Sequence, residues 1–388
     1  MKSALQDSGS KPGSRRAFVK KTATSTVLAS ALGTTPFAIL NSQAARSDGN
    51  KLGIALVGLG NLATHQIAPA LAKTKHVRLA GVVSGTPSKI ESWRNQYGIP
   101  AKNCYSYETY DRIADNPEID IIYIVLPNSM HAEYTIRAAR SGKHVLCEKP
   151  MANSAKDCEE MITACRQAKR RLAIGYRCQF EPHHLRCLQF ARERTFGDLK
   201  MIEAGFGFRI GDPNQWRLKH RYAGGGALMD VGIYALQACR YLSGEEPTHI
   251  AAMETKTDPV KFREVDESIT WTMTFPSGLN CYCSTTYALS GINRLNAHGD
   301  QGWFRLNPAF SYSGITGTTS NAGPIHYSPI DQFAAELDDF AICVREDRES
   351  KVSGLEGLKD LRAIEAIYQS IRTGRTVQVA ETISDTTL

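Results

Sequence analysis

Past residue 50, short β-branched apolar runs alternate with stretches whose apolar residues recur at helical spacing. Gly53-Ile54-Ala55-Leu56-Val57 reads as a buried strand, and Ile67, Ala70 and Leu71 then repeat with the period of a helix. Residues 77–83 predict a second strand and 88–97 a second helix. A third strand spans 119–125, followed by a helix that Asn128 or Ser129 can cap. His144-Val145-Leu146-Cys147 is a short strand running into Glu148-Lys149-Pro150. Strands separated by helices of this length predict right-handed βαβ units and a parallel sheet. After Ser154, which opens a capping-box-like Ser-x-x-Asp, a helix extends to about Lys169.

The texture then changes. Longer strands are predicted over 201–208, 249–257, 268–275 and 279–287, with Pro276-Ser277-Gly278 as the turn joining the last two. Helices over 331–344 and 355–372 close the chain. The expected fold class is therefore α/β. It has an N-terminal Rossmann dinucleotide-binding domain over 45–150 and a C-terminal α+β domain over 151–388 with a large, mostly antiparallel open sheet. At 388 residues the length suits two domains, and no internal repeat is visible past the leader.

Composition changes this picture only at the ends. Hydrophobic residues make up 42% and charged residues 22%, ordinary for filled cores. Part of the net charge of +7 sits in the first 21 residues, where Lys2, Lys11, Arg15, Arg16, Lys20 and Lys21 face a single acid, Asp7. No later basic run interleaves with aromatics, so nucleic acid is not an expected partner. Ser14-Arg15-Arg16-Ala17-Phe18-Val19-Lys20 has the twin-arginine pattern, followed by a weakly apolar segment over 27–40 and by Ser42-Gln43-Ala44 at signal-peptidase spacing. Residues 1–44 are thus expected to export the folded protein to the periplasm, with cleavage after Ala44. The ten cysteines are scattered without a CxxC pair, which fits small buried hydrophobes in a chain folded before export. No Cys/His cluster has metal-ligand spacing, and no metal is expected.

Candidate chemistry lies at four places. Gly58-Leu59-Gly60-Asn61-Leu62-Ala63 fits G-x-G-x-x-A directly after a strand, where the helix N-terminus can meet a pyrophosphate. Twenty-one positions beyond Ala63, where an enzyme using NAD carries an acid, stands Ser84, followed by Gly85, Thr86 and Lys89. A hydroxyl and a nearby cation suit the 2′-phosphate of NADP, which a carboxylate would repel. Lys149 ends a strand of the parallel sheet, where ligands bind. Asp230 and Tyr234 follow Gly224-Gly225-Gly226 and, four apart, share one helical face. An acid and a phenol aimed together at a cleft form a plausible proton-transfer pair.

Together the fingerprint, Leu126-Pro127-Asn128-Ser129-x-His131, Glu148-Lys149-Pro150 and the Asp-x-x-x-Tyr helix resemble the Gfo/Idh/MocA oxidoreductases over nearly the whole chain past the leader. Gly175-Tyr176-Arg177-Cys178, Gln215-Trp216-Arg217-Leu218 and the Gly224–Tyr234 segment look like the glucose-fructose and aldose-aldose oxidoreductase subgroup. Many relatives carry His where this chain has Tyr234. The resemblance implies that Lys149, Asp230 and Tyr234 are catalytic. Tyr234 would take the proton of an aldose C1 hydroxyl, Lys149 would stabilise the tyrosinate, and Asp230 would orient the sugar. It also implies a cofactor site drawn from Gly58, Gly60, Asn61, Leu62, Ser84, Gly85, Lys89, Tyr107, Leu126, Asn128, His131, Glu148, Lys149, Arg177, Trp216 and Arg217. Arg177 and Tyr287 join the catalytic three as candidate sugar contacts.

In that subgroup NADP stays bound while one sugar reduces it and a second reoxidises it. The expected partners are small-molecule sugars and further copies of the chain, as a homodimer or homotetramer, with no membrane association after export. One departure stands out. The family prototype has a long proline-rich arm after its signal, whereas cleavage after Ala44 leaves only residues 45–50 before the first strand. Three alternatives keep the same motifs: a dehydrogenase that releases NADPH, a nicotinamide-dependent glycosidase, and a catalytically silent sugar-binding protein.

Overall fold

In the computed structural model residues 51–380 are described. The twin-arginine run and the cleavage site lie outside the described residues. Six parallel strands form the first sheet: β1 (Leu52–Val57), β2 (Val77–Val83), β3 (Cys104–Tyr105), β4 (Ile121–Ile124), β5 (His144–Glu148) and β6 (Leu172–Gly175). Their order is β3-β2-β1-β4-β5-β6, the dinucleotide-binding arrangement with its switch point between β1 and β4. Ile54 to Val57 and Ile121 to Ile124 are fully buried, because helices cover both faces and every position of such strands must be apolar.

The helices of this half are α1 (Ala68–Leu71, entered through a widened π turn at Ala63–Ile67), α2 (Pro87–Tyr97), α3 (His131–Arg140) and α4 (Ala155–Gln167). Ser154 caps α4 as its sequence suggests, its hydroxyl accepting from the Asp157 N–H at 3.1 Å. Two expectations need correction. The parallel sheet does not stop at residue 150, since β6 pairs with β5 from Val145↔Leu172 onward. Nor do Asn128 or Ser129 cap α3: a 3-10 turn spans Asn128–Met130, and the Asn128 amide donates instead to the Ala223 carbonyl at 2.8 Å. That bond ties the two halves together across 95 residues of sequence.

The second sheet has nine strands. To β7 (Leu199–Gly207), β8 (His249–Thr255), β9 (Ser268–Thr274) and β10 (Asn280–Thr286), which match the four predicted runs, the structure adds five. These are β11 (Ile292–Gly299), β12 (Gly302–Leu306), β13 (Gly317–Thr319), β14 (Pro324–Ile325) and β15 (Val377–Gln378). Only β7 and β10 pair in parallel; the remaining neighbours are antiparallel. Strand β9 shows the alternation that one-sided burial requires, with Ile269, Trp271 and Met273 inward and Thr270, Thr272 and Thr274 outward.

The helices here are α5 (Pro182–Arg192), α6 (His220–Ala223), α7 (Ile233–Ser243), α8 (Gln332–Arg345) and α9 (Gly354–Thr373). The inward face of the sheet packs on α7 and α9, while Met253 and Tyr282 stand exposed on the other. Among the described residues no helix is long and apolar enough to cross a membrane. Of the ten cysteines, nine are buried and Cys104 half-buried, and none is disulfide-bonded.

Candidate active site

The carboxyl ends of the parallel strands open onto a cleft of about 630 Å³. Its floor is the fingerprint turn. Gly58 has φ 98°, and a Cβ there would lie 2.3 Å from the Val125 carbonyl oxygen, so only glycine makes this turn. A Cβ on Gly60 would meet no protein atom, which leaves the backbone open on its cleft side for a close-lying phosphate. At the end of β2 the cleft is lined by Ser84, Thr86 and Lys89 with no carboxylate beside them. These residues fit an NADP 2′-phosphate, and the glycine turn fits the pyrophosphate.

All the expected cofactor residues line this cleft except two. Gly85 stays behind Tyr107: a Cβ on it would lie 2.7 Å from the tyrosine ring, so its role is to let that ring lie close. His131 is fully buried, with Nδ1 2.9 Å from the Pro150 carbonyl and Nε2 2.9 Å from the Leu126 carbonyl. It therefore braces the backbone of the Leu126 turn against the segment carrying Lys149, and does not line the cleft.

Lys149 comes from the end of β5 and Asp230 from a π turn, Leu228–Gly232, that leads into α7. The widened turn is a common device where a helix carries a functional group. The Lys149 ammonium donates to the Asp230 carbonyl oxygen and sits 3.2 Å from Oδ1. Oδ2 accepts from the Tyr287 hydroxyl at 2.8 Å and pairs with Arg217 Nε at 3.2 Å. Burial alone would raise the Asp230 carboxyl. Lys149, Arg217 and the Tyr287 hydroxyl instead hold it down, to about 2. Tyr287, expected to touch sugar, is 1% exposed and stands behind Asp230, where it orients the carboxylate.

Tyr234 follows on α7, its ring edge-to-face with Phe206 at 5.5 Å and tilted against Phe310 at 5.9 Å. Two cations flank it: Lys149 Nζ lies 5.1 Å and Arg177 Cζ 4.9 Å from the ring centre. Burial raises its pKa, and Arg177 is the principal group pulling it back. Beyond it opens a second cavity of about 480 Å³, walled by Phe206, Phe208, Phe310 and Tyr312. Lys149, Arg177, Arg217, Asp230 and Tyr234 line both cavities, so the proposed catalytic groups stand at the junction of the two.

The three glycines before Asp230 have protein packed against their Cα atoms. A Cβ on Gly224 would lie 2.5 Å from Asn153 Oδ1, on Gly225 2.0 Å from the Tyr368 hydroxyl, and on Gly226 2.0 Å from the Asp266 carbonyl oxygen. Asp266 fixes this loop by accepting the Gly226 and Leu228 N–H groups at 2.6 and 2.8 Å and the Tyr368 hydroxyl at 2.7 Å. Asp266, Tyr312 and Gln332 carry no local signal, since each matters only through a partner remote in sequence.

The arrangement is that of a nicotinamide-dependent oxidoreductase, and comparison with known proteins gives it a family. Residues 52–176 match the family model described as oxidoreductase family, NAD-binding Rossmann fold, and residues 184–305 match the Gfo/Idh/MocA C-terminal domain. The chain belongs to the Gfo/Idh/MocA oxidoreductases.

It is 48% identical to the aldose-aldose oxidoreductase of Caulobacter crescentus, whose crystal structure holds glycerol. That likeness covers 85% of this chain and 100% of that one, with TM-score 0.82. A D-xylose 1-dehydrogenase [NADP(+)] of Haloarcula marismortui is 28% identical over 85% of this chain and 94% of its own. A 3-ketoreductase from Actinomadura kijaniata, crystallised with NADP, shares the fold at TM-score 0.74 and 20% identity over 83% of this chain and 98% of that one.

Proposed function

We propose that this protein is an NADP-dependent sugar oxidoreductase that oxidises an aldose at C1 to the lactone and reduces a second sugar to the alditol, keeping its NADP between the two half-reactions. The observation that carries this reading is the convergence of Lys149, Asp230 and Tyr234 where the cofactor cleft opens into an aromatic-walled cavity. Bound NADP supplies the hydride acceptor and donor. The chain supplies the rest.

Phe206, Phe208, Phe310 and Tyr312 offer apolar faces to a sugar ring. Asp230, ionised and held by three donors, accepts a sugar hydroxyl and so orients C1. Tyr234 takes the C1 hydroxyl proton in oxidation and returns a proton in reduction. Lys149, committed to Asp230, holds that carboxylate in place and puts a positive charge over the tyrosine ring. Ser84, Thr86 and Lys89 favour NADP over NAD.

The Caulobacter aldose-aldose oxidoreductase supports the two-sugar cycle, and the haloarchaeal D-xylose 1-dehydrogenase supports a simpler dehydrogenase as the alternative. The twin-arginine run at Ser14–Lys20 supports a periplasmic location, where free NADPH is not supplied. The exposed outer face of the nine-stranded sheet supports assembly into a homodimer.

The decisive measurement follows reduced-nicotinamide absorbance in purified protein with no cofactor added. A rise with an aldose and a fall with a second sugar is expected. No signal until NADP is supplied, followed by steady turnover, would replace the two-sugar cycle with the dehydrogenase.

A further inference from the structure

Three arginines and a lysine surround the reactive end of the cleft and its supports, and all but one are committed to carboxylates. Lys149 and Arg217 share Asp230, and Arg240, deeper in the second domain, holds Glu246, Glu356 and Asp360. Arg177 is the exception. It is 2% exposed, and no carboxylate lies within ion-pairing distance of it among the described residues. Its Nη1 donates to Gln332 Oε1 at 2.5 Å and to the Ser311 carbonyl at 3.2 Å, and Nη2 to the Phe310 carbonyl at 2.6 Å. All three acceptors are neutral. Nε has no partner at all. The guanidinium is layered between the Tyr234 ring, 4.9 Å away, and the Tyr312 ring, 4.5 Å away.

A buried cation without a counter-charge is costly, and a fold that keeps one beside a phenol has placed it where negative charge appears. We propose that Arg177 is a positioning residue for proton transfer: its guanidinium stabilises the negative charge that the Tyr234 oxygen carries before it takes the sugar proton in oxidation and after it gives one up in reduction. This assigns to Arg177 the part that the sequence resemblance gave to Lys149, whose ammonium is held by the Asp230 carboxylate, which it shares with Arg217. It rests on the reading of Tyr234 as the proton-transfer group.

The other groups facing Tyr234 do not substitute for it. Glu148 and Lys149 approach from the end of β5, Cys178 from the turn after β6, Asp230 from the π turn leading into α7 and Tyr312 from the loop between β12 and β13. Burial raises the phenol pKa, Arg177 is the group that opposes it, and Cys178 and Glu148 add to the rise. Glu336, buried with both oxygens unpartnered, is driven by burial well above the usual carboxyl range and makes no ion pair with the guanidinium.

The test compares wild type with Arg177→Gln and Arg177→Lys in single-turnover reduction of bound NADP by an aldose across pH, with NADP affinity measured separately. For Arg177→Gln the rising limb of the profile is expected to move alkaline by about one unit or more. The rate at neutral pH should fall about 10²-fold. NADP affinity should change far less, and Arg177→Lys should recover part of the shift. A uniform loss at every pH, with the limb unmoved in both variants, overturns the proposal.

Gln332→Ala keeps the charge but frees one of its anchors. If Arg177→Gln does not fold, Gln332→Ala and Arg177→Lys carry the test, each with a smaller alkaline shift, and no shift in either counts against it. Tyrosinate absorbance on alkaline titration, taken as the difference from Tyr234→Phe, needs no sugar turnover. It should show Tyr234 ionising at higher pH in Arg177→Gln than in wild type. A wild type that no aldose reduces would end the functional reading while leaving this titration to decide on Arg177.

Discussion

Two buried arginines, Arg177 and Arg240, divide the molecule's charged interior into two kinds of site. Arg240 on α7 is 3% exposed and spends its guanidinium on three carboxylates: Glu246 at 2.5 and 2.9 Å, Glu356 at 2.9 Å, and Asp360, which also accepts from Gln237 at 3.0 Å. No cavity reaches it among those lined by the catalytic residues, and every polar atom of its head group has a partner. Arg177 is as deeply buried but has only neutral acceptors, an unpartnered Nε, and two cavities at its edge. A saturated cluster holds a fold together. An unsaturated one stores electrostatic potential for a charge that exists only during reaction.

The difference can be broken from either side, and the largest effect is expected on the reactive side. Tyr234→Phe removes one hydroxyl and should cut sugar-dependent cofactor reduction by about 10²–10⁴-fold. NADP binding and the melting temperature should stay close to wild type, and retained turnover would remove Tyr234 from the mechanism. Arg240→Met should do the reverse. It strands Asp360, which is fully buried, and should cost about 3–5 kcal/mol in denaturant unfolding, with the rate per folded molecule unchanged. A rate defect there without a stability loss would erase the distinction.

Asp230→Asn tests the group between these extremes. It leaves the shape but removes the charge that Lys149 and Arg217 share, and a fall in rate of about 10²-fold is expected. Its pH signature has a defined sign. The native carboxyl is held at about 2, below the unfolded value of about 3.9. The stability gained from its ionisation is therefore fully present above about pH 4 and disappears as pH falls toward 2. Wild type and variant should differ by a constant amount in unfolding free energy from neutral pH to about pH 4, then converge. An acid limb of activity near neutral pH that Asp230→Asn abolishes would contradict this. The smallest effect is expected from Lys89→Ala, where loss of one charge-assisted contact should weaken NADP about 10-fold while leaving NAD affinity unchanged in calorimetric titration. Equal losses for both cofactors would take the 2′-phosphate away from Lys89.

Much of this architecture was legible along the chain, for local reasons. Parallel strands buried on both faces need unbroken apolar runs, so β1, β2, β4 and β5 announce themselves. The fingerprint is readable because the Gly58 turn admits no other residue, and Asp230 with Tyr234 because one helical turn sets their spacing. Strands β11 to β15 were not legible: three of them have only two or three residues, and β11 mixes polar with apolar positions where one face of the sheet stays open.

The tertiary structure decided what each of these residues touches. Gly224 to Gly226 carry no mark of their purpose in the sequence; in the fold they make room for Asn153, Tyr368 and Asp266. His131 and Asn128 belong to a ligand-lining motif by position. His131 stands with its ring nitrogens 2.9 Å from the Pro150 and Leu126 carbonyls, and the Asn128 amide reaches across to the second domain. Lys149 and Arg177 are equally cationic on paper. Only packing shows that Asp230 pairs with one and that no carboxylate lies within ion-pairing distance of the other among the described residues. Side-chain periodicity and turn chemistry act over a few residues and so can be read in one dimension. The compensation of a buried charge depends on remote groups, 81 positions away for Lys149 and Asp230 and 133 or more for the acceptors of Arg177, which only the folded chain brings together.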